Sequence, residues 1–73
     1  VNILAIKKQM TLNLTDAEMN VLELLCEKKE LSKTALIRQA IKLYQLVDDR
    51  MENGDKLIFE NIKKKEKLEL KVL

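Results

Sequence analysis

The sequence predicts a mainly α-helical protein in which one short strand precedes two amphipathic helices and a β-hairpin follows them. Met10, Leu12 and Leu14 alternate with polar residues, and apolar side chains then recur every three or four positions from Met19 to Met51. Beyond Gly54 short alternating runs return. With 73 residues the chain makes one domain at most, and it can bury too small a share of its surface to be comfortable alone. A partner subunit is expected for that reason.

Over residues 7–15 the apolar Met10, Leu12 and Leu14 share one face, and Gln9, Thr11 and Asn13 share the other, the period of a half-buried strand. A lone strand leaves its backbone donors and acceptors unpaired, so it must join something distant or a second copy. Thr15-Asp16-Ala17-Glu18 has the form of a capping box and opens a helix over about residues 16–29. Met19, Leu22, Leu25 and Cys26 line one side of it, Val21 and Leu24 lie off that stripe, and Lys28 and Lys29 complement its C-terminal dipole. Ser32 caps a second helix over about residues 33–53, with Leu36, Ile37, Ala40, Ile41, Tyr44, Val47 and Met51 on its apolar face and Gly54 as its C-terminal stop. In the remainder, 54–73, Leu57-Ile58-Phe59 and the alternating Leu68, Leu70 and Val72 predict two strands around a lysine-rich loop at 63–67. Residues 1–53 thus form one module and 54–73 a C-terminal extension.

Composition removes several function classes. The chain is 47% apolar and 36% charged, with no Pro and one Gly, which suits a packed helical protein rather than disorder. One cysteine and no histidine exclude an internal disulfide framework and a zinc-type cluster, so no metal is expected. No Gly-rich phosphate loop is present and the single thiol sits on an apolar helix face, so neither an enzyme nor a small-molecule cofactor is expected. No apolar run reaches the ~20 residues of a membrane span, and residues 1–6 lack the basic start of a signal peptide. A reducing cytoplasm is the expected location. Net charge is only +2 and is silent about nucleic acid, but its distribution is not. From Ser32 to Val47 there is no carboxylate, while Lys33, Arg38 and Lys42 are present. The second helix therefore begins without an acid against its positive dipole end, open to an anion.

Strand, capped helix, tight corner and second capped helix occur in an order that resembles the ribbon-helix-helix family of MetJ, Arc and CopG type, over about residues 7–49. The resemblance is carried by Gln9-Met10-Thr11-Leu12-Asn13-Leu14 in the strand and, more specifically, by Ser32-Lys33-Thr34-Ala35-Leu36-Ile37-Arg38-Gln39-Ala40-Ile41. It implies an intertwined homodimer. An antiparallel two-stranded ribbon forms between subunits, its polar face enters the major groove of double-stranded DNA, and four helices share a core. That core would hold Met10, Leu12, Leu14, Leu22, Leu25, Ile37, Ala40, Ile41 and Tyr44. Gln9 and Asn13 carry amides suited to adenine, and Thr11 a hydroxyl and methyl suited to thymine, so these three are the expected base contacts. Taken alone, such a face is more simply that of a solvated strand, and the helices that follow turn the reading toward base contact. Ser32, Lys33 and Thr34 are the expected phosphate contacts, with the ordinary Ser cap beside a solvated lysine as the alternative. Lys7 and Lys8 either reach the backbone beside the groove or keep the terminus soluble. Arg38 and Tyr44 belong to the edge and interior of the core, and the run at 63–67 to a solvated loop.

In one respect the chain departs from the family: Glu30 stands where members often carry Gly, two residues before the second helix cap. A strained corner is expected there, with a negative charge near the phosphate. Cys26 falls where a small core residue is usual and is expected to pack rather than react. The implied role is a sequence-specific transcriptional regulator, in particular a repressor, with several dimers able to assemble on one DNA. Alternatives are an antitoxin with a toxin partner, a plasmid copy-number or partition protein, and an interaction module that binds no DNA.

Overall fold

A computed structural model describes residues 7–71, so the expectations for residues 1–6 and for Val72 lie outside the described residues. The order is α1 (Asp16–Lys29), α2 (Lys33–Glu52), β1 (Leu57–Asn61) and β2 (Glu66–Leu70). They fall into two compact units, the first ending at Leu31 and the second starting at Ser32, so α2 and both strands belong together.

In the first unit, residues 7–14 carry no regular secondary structure. The strand expected at 7–15 is not formed within the chain, because among the described residues the one ladder joins β1 to β2 and offers this segment no partner. Helix α1 begins as its sequence dictates: Thr15 Oγ1 accepts the Glu18 N–H at 3.1 Å, and Glu18 Oε1 accepts the Thr15 N–H at 2.9 Å. Its end is a Schellman turn. The Leu31 N–H reaches the Cys26 carbonyl at 2.9 Å and the Glu30 N–H reaches Glu27 at 3.2 Å. Closing that turn requires a left-handed residue, and Glu30 supplies it at φ 54 and ψ 45. The strain expected from the missing glycine is therefore present as a backbone conformation.

In the second unit, Ser32 caps α2 through its Oγ, which accepts the Ala35 N–H at 3.1 Å. Twenty residues later the helix stops at a second Schellman turn. Gly54 donates to Met51 at 3.0 Å, Asp55 donates to Arg50 at 3.1 Å, and the turn passes through Gly54 at φ 88. An ion pair between Arg50 Nε and Asp55 Oδ2 ties the same two residues by their side chains.

The hairpin forms, with longer strands and a tighter loop than expected. Asn61 pairs with Glu66, so the turn is 62–65 rather than 63–67. Four-residue loops built on a type I turn need a left-handed residue only near their end, which explains why no Asn-Gly pair is required. Lys65 takes that position at φ 54, and Asn61 Oδ1 steadies the turn by accepting the Lys64 N–H at 3.1 Å. Directly opposed residues of an antiparallel pair share a face, so Leu57, Leu70, Phe59 and Leu68 form an apolar side. The other side is ionic, with Lys67 and Glu60 at 3.5 Å and Lys56 and Glu69 at 3.8 Å.

None of the described residues is buried. Backbone ordering costs about 1–2 kcal/mol per residue, and exposed apolar side chains return little transfer free energy against it. Apolar side chains on both helices, Leu25, Ile41 and Tyr44 among them, stand exposed. No helix among the described residues is long and apolar enough to cross a membrane.

Candidate nucleic-acid interface

Two groups of residues carry the expected contacts, one in each unit. In the first, Gln9, Thr11 and Asn13 are exposed, as are Lys7 and Lys8 just before them. The apolar side of the same segment is equally open: Met10 is 77% and Leu12 52% exposed, and only Leu14 is partly covered. Polar and apolar side chains thus alternate along a stretch of backbone that has no partner strand among the described residues. Such a stretch has donors and acceptors to give to an antiparallel neighbour and one greasy side to set on a helix layer.

In the second unit, Ser32, Lys33 and Thr34 lie together at the start of α2 and are all exposed. The two helix N-termini differ in a way that bears on anions. In α1 the first turn contains Asp16 and Glu18, and the Glu18 carboxylate is folded back on the cap. That backbone hydrogen bond from Thr15, with a smaller contribution from its hydroxyl, holds the Glu18 carboxyl below the usual carboxylate range. In α2 the first turn has no acid at all, and its third position is Ala35. The positive end of the longer helix is left without a negative charge of its own, next to a lysine.

No family model matches the chain, and no curated protein or solved structure is similar to it. Function therefore rests on these residues and their placement.

Residues expected in a shared core are distributed as unfinished surface. Leu14, Leu22 and Ile37 are half-buried, Leu25 is more open, and Ala40, Ile41 and Tyr44 are exposed. Cys26 is half-buried on the α1 stripe, and Val21 and Leu24, off that stripe, are exposed as their positions imply. Sequence reasoning missed a second apolar face on α2. Leu46 is nine positions beyond Ile37, which at ~100° per residue puts it on the opposite side of the helix. Leu43 flanks it. Together with Val47, Arg50, Met51 and the hairpin residues Leu57 and Ile58, these leucines line a cleft of about 440 Å³. The signal was present in the three-residue spacing of Leu43 and Leu46.

Proposed function

We propose that this chain is a sequence-specific DNA-binding transcriptional regulator, a repressor in its simplest form, that works as a ribbon-helix-helix homodimer. The observation that carries the proposal is the unpaired segment 7–14, whose exposed Gln9, Thr11 and Asn13 alternate with exposed Met10 and Leu12 directly before a capped helix. Pairing with its symmetry mate would satisfy the backbone of both copies and turn three polar side chains per chain to one side. A ribbon of that width fits the major groove. Met10, Leu12 and Leu14 would then lie on the helices of both subunits, covering the stripes that the single chain leaves open.

Phosphates supply the second half of the mechanism. With no carboxylate in its first turn, α2 can place its N-terminal N–H groups, the Ser32 and Thr34 hydroxyls and the Lys33 ammonium against a backbone phosphate on each flank of the ribbon. These contacts fix register, and the ribbon amides choose bases. The folded hairpin supports this role over that of an antitoxin, whose toxin-gripping tail is commonly unfolded until bound.

Selection of bound duplexes from random DNA tests the proposal, with mobility shifts at two salt concentrations as the quantitative readout. The expected product is a site with two-fold symmetry. Absence of any shift at low salt would leave the chain as an interaction module and overturn the regulator.

A further inference from the structure

We infer that the tip of the β1–β2 hairpin is a second DNA contact, in which residues 62–65 hold backbone phosphates flanking the site read by Gln9, Thr11 and Asn13. This rests on the DNA-binding function proposed above. Three lysines follow one another in the turn, Lys63, Lys64 and Lys65, and among the described residues no carboxylate pairs with any of them. The stem lysines differ, since Lys56 and Lys67 are held by Glu69 and Glu60. The positive charge of the tip is therefore available to a partner.

Its presentation is also fixed. The Asn61 side chain anchors Lys64 by its N–H, the Lys65 N–H reaches the Ile62 carbonyl at 3.4 Å, and Lys65 occupies a left-handed conformation that Gly or Asn would adopt more cheaply. Beside these lysines Ile62, at 82%, is the most exposed of the large apolar residues described. An apolar side chain among lysines at a ribbon tip suits the edge of a DNA groove, where it can rest on sugar and base while the ammonium groups hold phosphates. Distance separates this contact from the first. Helix α2 is roughly 30 Å long, and the hairpin leaves it at the end opposite Ser32. The phosphates it meets are different ones.

The test compares two duplexes carrying the selected site, one trimmed to that site and one with about ten further base pairs on each side, a full helical turn. Lys63→Gln, Lys64→Gln and Lys65→Asn are combined, Asn being suited to the left-handed position. On the flanked duplex this variant is expected to bind at least tenfold more weakly at low salt, with the slope of log affinity against log salt shallower by about two to five. On the trimmed duplex it should match the wild type, and the ratio of selected to random sequence should not change. Ile62→Ser should weaken flanked binding while leaving the slope alone. Should the triple variant lose its circular dichroism signal, Lys63→Gln alone is read for a slope change of about one to two. Equal slopes for wild type and variant on the flanked duplex would overturn the inference and leave the DNA-binding proposal intact. A wild type that binds neither duplex would remove both. Lysine-dependent binding to anionic phospholipid vesicles, with no effect on DNA, would also overturn it and assign the tip to a membrane surface.

Discussion

Glu30 and Gly54 perform the same task at the ends of the two helices, and only one of them is the residue that task favours. Both sit at positive φ, 54 and 88, in turns closed by the same pair of backbone hydrogen bonds. A side chain in that conformation costs roughly 1–2 kcal/mol, offset in part by the greater freedom glycine has in the unfolded chain. Glu30→Gly should therefore raise stability by about 0.5–1 kcal/mol in urea titration, and on the proposed function it should also tighten DNA by removing a carboxylate near the phosphate. Gly54→Ala should lower stability by about 1 kcal/mol, and since a Cβ there meets nothing within 4 Å the loss is one of conformation, not of space. Glu18 sets a pH dependence of definite sign. Its carboxyl titrates lower in the folded chain than when unfolded, so its contribution is full above the ordinary glutamate range and disappears as pH falls through the folded value. Glu18→Gln should show a smaller drop in urea midpoint between neutral and acidic pH than the wild type.

At the scale of elements, the helices were legible because their boundaries are written in local chemistry. Thr15 with Glu18, Ser32, and Asn53 before Gly54 each satisfy backbone groups within a few residues, and the observed limits follow them. The hairpin was legible in outline from Leu57-Ile58-Phe59 and the alternation after it. Its turn was not, because a left-handed Lys65 and an Asn61 cap leave weaker marks on a sequence than Asn-Gly. The strand at 7–15 was read from a period of two, which records a face and not a neighbour, and no neighbour for it lies among the described residues. The second apolar face of α2 was overlooked because the stripe from Ile37 to Met51 already accounts for the period of the helix, and Leu43 and Leu46 fall outside it. If Leu46 and Leu57 hold the hairpin on α2 across their cleft, Leu46→Ala should reduce hydrogen-exchange protection in β1 and β2 by roughly 1 kcal/mol while α1 is unaffected.

For the whole molecule, the decisive fact is that no described residue is buried. On the proposed homodimer, folding tied to association predicts a melting temperature that rises with protein concentration, and a sedimentation mass of two chains. Ile41→Asp should abolish both the dimer and the cooperative melt, because it would put a charge among the apolar faces assigned to the interface. A melt independent of concentration would contradict the shared core. On the proposed function, Asn13→Ala should cost about 1–3 kcal/mol at the selected site and little on random DNA, whereas Lys33→Glu should weaken both and flatten the salt dependence. The join at Arg50 and Asp55 has its own consequence at this scale. Because a backbone hydrogen bond and an ion pair link the last turn of α2 to the chain leaving it, the hairpin is set in helical phase with every residue of α2 before it. One alanine inserted between Lys42 and Leu43 would swing the tip by ~100° about the helix axis. Seven would return it to within ~20° while carrying it ~10 Å further out. Comparing the two insertions would separate the direction in which the lysines point from the distance they must reach.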